Sequence, residues 1–148
     1  MFGLVAWAAM SMATAALASP PIAVLLPLLI LAAAFEAVFA VHVGVERVGR
    51  YLQVFYEDSW EDAAMRFGRP SGAIATDALF SVPFLIATLF NIAPLTVASP
   101  IAVEWIFVGG AHALFVLRII VARAAAGRQR AVDLARFQEL KAGRSGGP

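Results

Sequence analysis

Apolar residues dominate four long stretches of the chain, and shorter polar or proline-containing stretches separate them. The apolar stretches cover residues 2–18, 22–43, 73–92 and 101–122. An α-helix rises ~1.5 Å per residue, so about 20 apolar residues cross the ~30 Å hydrocarbon layer of a bilayer. The pattern therefore predicts an all-α integral membrane protein. We expect a bundle of four transmembrane helices in a single membrane domain, residues 1–148.

The second and fourth stretches continue as helices that also carry charged residues. Beyond residue 43, Val45, Val48, Leu52 and Phe55 recur at helical spacing, and the charged residues face elsewhere. We therefore expect long second and fourth helices that extend into the cytoplasm. Residues 44–70 are predicted to be a helical extension and elbow, residues 123–141 a C-terminal cytoplasmic helix, and residues 142–148 a flexible tail.

The elbow contains a short apolar stripe that includes Trp60 and Phe67, with arginines nearby. Aromatic side chains beside arginines are typical of a helix at the lipid–water interface. The alternative is a loop helix packed on the projecting extension. Four acidic residues of the elbow also oppose the basic C-terminal helix in charge, so either the two dock or each is solvated separately; the acids are Glu57, Asp58, Glu61 and Asp62.

Composition and charge agree with a lipid environment. The chain is 61% hydrophobic and 14% charged, whereas soluble domains carry about 25% charged residues. Its 148 residues include no cysteine, which excludes disulfides and thiolate metal sites. The basic residues do not form a pattern typical of nucleic-acid binding. The expected partners are the lipid bilayer and other membrane proteins or further copies of the chain.

Orientation follows from where the basic residues lie. Lysine and arginine concentrate in the connection between the second and third stretches and in the C-terminal segment. Such residues remain on the cytoplasmic side of a membrane. With four spans, this distribution places both termini in the cytoplasm, and we expect a bacterial inner-membrane location.

Five ionisable residues form a candidate intramembrane polar cluster: Glu36, His42, Asp77, His112 and Arg118. Each charge inside a span costs about 2.5–3.5 kcal/mol on insertion scales, so each needs a partner or water. Three alternatives follow: a structural network, a proton or cation pathway, and a divalent metal or other cofactor held by carboxylates and imidazoles. Bis-histidine haem is disfavoured because the two histidines differ by ~12 Å in depth.

Small residues mark two candidate helix-packing faces. Ala9 and Ala13 lie four apart in the first stretch, and Gly109, Gly110 and Ala113 open a shallow face on the fourth. Small residues let helix backbones approach closely in lipid. The alternatives are an alanine-rich filler helix for the first face and simple flexibility of a lipid-facing helix for the second.

No motif for enzymatic chemistry occurs in the context that its chemistry needs. HExxH is absent, the GxSxG match at residues 143–147 lies in the predicted C-terminal tail and not at a strand-to-helix turn, and no nucleophile–base pair can be assigned from spacing. The sequence therefore favours a non-enzymatic protein without a cofactor, either an accessory or scaffold subunit of a membrane complex or a homo-oligomer. The competing function is a proton or cation transporter or channel that uses Glu36, Asp77 and His112.

Overall fold

The computed structural model of the chain describes residues 2–17, 20–56 and 74–145, with the backbone alone for residues 74–80 and 145. These ranges are almost entirely helical and contain no strand. Their α-helices are α1 (Phe2–Ala16), α2 (Leu25–Phe55), α3 (Ile74–Ile92), α4 (Leu95–Ala98) and α5 (Ala102–Ser145), and a 3-10 turn at Pro21–Val24 precedes α2. The predicted all-α class is confirmed.

Three helical segments in the described part of the chain are long and apolar enough to cross a membrane: Pro21–Phe55, Ser81–Ala98 and Ala102–Arg144. The apolar helix α1 has 15 residues and is ~22 Å long at the usual rise. Membrane-length helices are therefore confirmed, whereas the count of four spans and the cytoplasmic extensions stay predictions. The predicted elbow beyond Tyr56, with Trp60 and Phe67, lies outside the described residues.

The chain divides into two compact units. The first unit contains Met1–Val38 and Ala78–Ile120, and the second contains Phe39–Asp77 and Val121–Pro148. Helices α2 and α5 contribute one segment to each unit. The C-terminal helix continues to Ser145, so the predicted tail from residue 142 begins inside α5.

The core of the first unit is built around Phe35, which is fully buried. Its ring meets Phe84 of α3 and Phe115 of α5 edge-on, at centroid distances of 5.3 and 5.9 Å. Edge-to-face pairs are worth about 0.5–1.5 kcal/mol beyond their buried area. Leu31, one turn before Phe35, is equally buried. These contacts hold α2, α3 and α5 together.

At two helix starts, the local residues reduce the number of backbone amides that lack a hydrogen-bond acceptor. Helix α2 begins at Leu25, so Pro27 lies in its first turn, where an amide has no helical acceptor in any case. At the start of α5, the Glu104 carboxylate accepts a hydrogen bond from the Ile101 amide at 3.0 Å. Local sequence therefore explains both starts.

Helix α1 approaches α2 most closely at Gly3. A Cβ atom built on Gly3 would collide with the Cβ of Ala34 and lie 3.4 Å from its Cα. Since Ala34 belongs to the body of α2, no flexible side chain can move aside. Only glycine permits this contact, which holds the start of α1 against α2.

The second unit pairs the end of α2 with the end of α5. Ala122, Ala126 and Val54 are buried, and Phe137 packs edge-on against Tyr51 and Phe55 at 5.7 and 6.3 Å. The Arg144 guanidinium lies 5.4 Å from the Phe55 ring centre, a cation–π distance. Residues further along α2 meet residues further along α5, so the two segments run parallel.

We expect Gly3→Ala to lower the thermal unfolding midpoint in detergent, because overpacking costs about 1–3 kcal/mol. The matched control is Gly127→Ala, since a Cβ at Gly127 meets nothing within 4 Å. That variant should raise the midpoint, because alanine is favoured over glycine in a helix by up to about 1 kcal/mol. Equal shifts for both variants would contradict the Gly3–Ala34 contact.

Candidate functional site

Asn91 occupies the centre of a buried hydrogen-bond node in the first unit. Its Oδ1 accepts from Trp7 Nε1 at 3.2 Å and from Ser11 Oγ at 3.5 Å, both on α1. Its Nδ2 donates to the Val24 carbonyl at 2.9 Å and lies 3.0 Å from His112 Nε2. An amide has two donor hydrogens and two acceptor lone pairs. Asn91 therefore uses its full capacity to join α1, α3, α5 and the turn before α2.

The hydrogen bonds of His112 define its tautomer. Its Nδ1 lies 2.7 Å from the Val108 carbonyl oxygen, which can only accept, so Nδ1 carries the proton. Nε2 is then the acceptor for Asn91 Nδ2. A second ring proton would point at the Asn91 amide hydrogens, so this geometry requires a neutral imidazole. His112 could act as a proton relay only after this node opened.

Glu36 and Arg118 form an ion pair between α2 and α5 in the first unit. Arg118 Nη2 donates to Glu36 Oε2 at 2.8 Å. Both side chains are partly exposed, Arg118 at 43% and Glu36 at 48%. The described residues therefore cover this ion pair only in part.

A larger ion network joins α2 and α5 in the second unit, and Glu46 is one of its two acidic centres. Arg130 binds both oxygens of Glu46, with Nη2–Oε1 at 2.6 Å and Nε–Oε2 at 3.0 Å. Arg50 and His42 approach the same carboxylate from α2, at 3.7 and 3.4 Å. Paired nitrogen–oxygen contacts of this kind fix orientation as well as distance.

Asp133 is the second acidic centre of this network. Its Oδ2 accepts from Arg47 Nε and Arg50 Nη2, each at 3.2 Å, and its Oδ1 accepts from Gln129 at 2.8 Å. Asp133 and Arg50 are both buried, and the Nε atom of Arg50 is buried without a hydrogen-bond partner among the described residues. Because Arg50 is buried, losing its contact with Asp133 would leave a buried charge without its counter-ion, which is strongly destabilising.

The environment of Asp133 has opposing effects on its acidity. Burial alone would raise the pKa of this carboxyl group. Hydrogen bonds from Gln129, Arg47 and Arg50, together with the charge of Arg47, outweigh burial and hold the pKa of Asp133 below its ordinary value. The carboxylate is therefore ionised at neutral pH.

The predicted polar cluster is divided between these groups. Glu36 and Arg118 meet in the first unit, His112 joins the Asn91 node, and His42 approaches Glu46 in the second unit. Asp77 lies on α3, but its side chain is outside the described part of the structure. Among the described residues, no group of three or more His, Cys, Asp or Glu side chains could hold a metal ion. The transport hypothesis stays a prediction.

The small residues predicted for helix packing lie on surfaces that the described residues leave largely uncovered. Ala9, Ala13, Gly110 and Ala113 are exposed and Gly109 is half-buried, and a Cβ at either glycine would meet nothing within 4 Å. The close approach that the structure does show is at Gly3. Contact of the predicted positions with another chain stays a prediction.

Sequence reasoning missed Asn91 and Asp133, each of which makes several hydrogen bonds to other side chains. Asn91 is uncharged and lies at the end of the third apolar stretch. Its side-chain partners Trp7, Ser11 and His112 are 84, 80 and 21 positions away, so no local pattern indicates them. Asp133 was read as part of a solvated helix, although acids spaced among arginines on two helices were available as a signal.

An apolar cavity of about 350 Å³ lies in the first unit, between the end of α1, the 3-10 turn before α2 and helix α4. Among the described residues that line it, Thr14 is the one with a polar side chain; the others include Pro21, Val24 and Leu95. The described lining contains no acidic or basic side chain.

Comparisons with known proteins give no relative for this arrangement. No family model, no curated protein and no solved structure matches the chain. Function has to be argued from the geometry alone.

We expect Asn91→Leu to lower the unfolding free energy in detergent by about 2 kcal/mol, because hydrogen bonds within membranes contribute about 0.6 kcal/mol each on average. Trp7→Phe removes a single bond and should lower it by about a quarter as much. Thr96→Val is the control, since the exposed Thr96 hydroxyl bonds only locally, to the Ala93 carbonyl among the described residues. An effect of Asn91→Leu no larger than that of the control would refute the node.

We expect the stability of the second unit to fall in acid. Because the pKa of folded Asp133 lies below its unfolded value of about 3.9, its stabilisation is present above about pH 4 and is lost as pH falls through the folded pKa. At neutral pH, Asp133→Asn should lower the stability by about 3 kcal/mol, the lower end of the cost of breaking a buried pair.

Amide hydrogen exchange along α5, measured at neutral pH and near pH 3, tests this expectation. The difference in amide-exchange rate between the parent protein and Asp133→Asn should become smaller in acid. Glu139→Gln, at an exposed position on the same helix, should leave exchange unchanged at both values. If this difference in exchange rate did not change with pH, the charge of Asp133 would not have the role assigned to it.

Proposed function

We propose that this chain is a small, non-enzymatic integral membrane protein that serves as an accessory or scaffold subunit, binding other membrane proteins or further copies of itself. The observation that carries the proposal is the exposure of the Glu36–Arg118 ion pair on apolar helices. Ionisable side chains within membrane spans nearly always face protein or a water-filled cavity. An ion pair on the outer face of a small bundle is best explained by a neighbouring protein that covers it.

The surface of the first unit supports the same proposal. Next to Arg118 along α5, Leu114 and Leu117 are large apolar side chains with more than half of their area exposed. Gly110 and Ala113, one to two turns earlier, add a shallow exposed region. Lipid alone could cover these apolar residues, but lipid tails offer nothing to a guanidinium or a carboxylate. A protein partner satisfies both kinds of group.

The proposed topology has four spans, with both termini in the cytoplasm. It rests on the basic residues, which follow the second and fourth apolar stretches and are absent from the other two connections. Helix α1 joins the bundle through the Asn91 node and the Gly3 contact. Since α1 is shorter than the hydrocarbon layer, it crosses only if the bilayer thins locally or its flanking residues reach the interface.

The test is to replace the ion pair and measure association. Protein extracted in mild detergent from its native membrane should have a mass above that of a single chain by light scattering. We expect Glu36→Leu combined with Arg118→Leu to shift the protein to a smaller assembly, because the partner's polar groups then lose their contacts. Leu29→Ala is the control, since Leu29 is also exposed on α2 in the first unit.

If the pair instead faces lipid, the double leucine variant should be more stable than the parent, because apolar residues replace charges in hydrocarbon. Its assembly would then be unchanged. That combination of results would overturn the proposed function.

A further inference from the structure

The hydrogens of the Asn91 node have fixed positions, because three of its groups can take one hydrogen-bonding role only. Trp7 Nε1 can only donate, so the oxygen of the Asn91 amide faces it at 3.2 Å. The Val24 carbonyl can only accept, so the amide nitrogen faces it at 2.9 Å. The Val108 carbonyl accepts the proton of His112 Nδ1 at 2.7 Å. His112 Nε2 is therefore unprotonated and accepts the second amide hydrogen, at 3.0 Å.

This arrangement has no place for a second proton on His112. The proton would bind Nε2 and point at an amide hydrogen of Asn91. Turning the Asn91 amide over would present its oxygen to the ring, but would direct its nitrogen at Trp7 Nε1, and two donors cannot bond to each other. The Val24 carbonyl would also lose its donor. A proton on His112 Nε2 and the hydrogen bond from Trp7 to Asn91 therefore exclude each other.

His112 is buried, and the charged groups of the surrounding elements lie at other levels of their helices. Helix α1, the 3-10 turn and α4 contain no titratable side chain. On α5, Glu104 and Arg118 are eight and six residues from His112, which is ~12 and ~9 Å along a helix. Glu36 of α2 binds Arg118, and Asp77 belongs to the first turn of α3, whereas the node meets its last turn. Among the described residues, hydrogen bonds and not ion pairs therefore decide whether this ring can bind a proton.

Helix α1 depends on the node for its attachment. None of the residues in Phe2–Ala16 is buried, so the helix contributes no fully buried side chain to the core. Its side-chain hydrogen bonds to other described elements come from Trp7 and Ser11, and both reach Asn91. The Gly3 contact holds its first turn, and the apolar cavity of about 350 Å³ lies beside its end. Loss of the Asn91 contacts would therefore free the part of α1 that follows Gly3.

We propose that the Asn91 node is a pH-sensitive switch that controls the attachment of α1. His112 Nε2 takes up one proton from water and gains one positive charge. The hydrogen bond from Trp7 to Asn91 breaks, and α1 beyond Gly3 separates from α3. The switch belongs to the first unit and does not rest on the proposed function as a scaffold.

Proton linkage gives the direction of the pH dependence. The closed node binds no proton at Nε2, whereas the open node exposes an imidazole to water, where it is half protonated near pH 6.5. Closure is therefore favoured above about pH 6.5, and its equilibrium constant falls about tenfold for each pH unit below that value. Between about pH 7.5 and about pH 5, the ratio of open to closed nodes should rise about 30-fold.

The indole hydrogen of Trp7 reports the state of the node. Its exchange in deuterated water can be followed by NMR of isotope-labelled protein in detergent, and its signal is assigned by its loss in Trp7→Phe. We expect its protection factor, the ratio of the intrinsic to the observed exchange rate, to fall about 30-fold between about pH 7.5 and about pH 5.

Substitution of each histidine in turn identifies the group that responds to pH. His112→Gln retains a side-chain acceptor for the Asn91 amide and removes the titration, so its Trp7 protection factor should not change with pH. His42→Gln is the matched control, because His42 is the other histidine of the chain and lies in the second unit. This variant should show the same fall as the parent protein.

NMR signals of the His112 ring nitrogens give a test that leaves the histidine in place. At about pH 7.5 they should show the proton on Nδ1, and Nε2 should become protonated over the pH range in which Trp7 loses its protection. Trp7→Phe removes one bond of the closed node and should favour the protonated ring about threefold at a given pH, the equivalent of one average hydrogen bond within a membrane. Thr96→Val, at a local bond outside the node, should have no such effect.

Three results would overturn the inference: a doubly protonated His112 ring beside a protected Trp7, a pH response that persists in His112→Gln, or no loss of protection in the parent protein. None of these measurements depends on association with another chain. A protein that shows the switch but forms no larger assembly would refute the scaffold function alone, and an assembly without the switch would refute this inference alone.

Discussion

A hydrocarbon environment offers no hydrogen bonds, so polar groups on apolar helices have to be satisfied within protein. This constraint explains the arrangement of the first unit. All the hydrogen-bonding groups of the Asn91 side chain have partners, which come from α1, α5 and the turn before α2. Because each partner would otherwise be unpaired, one side chain fixes how three helices and a turn meet. The Phe35 cluster adds packing but no comparable directionality.

Ion pairs have the corresponding role in the second unit. Arg50 and Asp133 form a buried polar layer between two parallel helix segments that are otherwise joined by alanines and aromatic rings. Apolar residues of similar size would often be as stable as such a pair. A polar layer in a helix pair instead selects one register, since any shift leaves a buried charge unpaired.

Several ionisable groups of both units are engaged by other parts of the same unit. The histidine of the first unit lies between Asn91 and Val108, and Glu46 and Asp133 of the second unit are paired with arginines. The partly exposed ion pair of Glu36 and Arg118 is the contact on which the proposed binding to another protein rests.

The sequence by itself determined that the chain is helical and that its long helices suit a membrane, because helical period and hydropathy are properties of neighbouring residues. It also identified Glu36 and Arg118 as charges that need partners. Only the tertiary structure decided that they pair with each other, 82 positions apart, and that His112 joins Asn91 and His42 approaches Glu46. Such pairings depend on how each helix is rotated and how far it is shifted along its neighbour. These quantities follow from packing of the whole chain, not from any local pattern.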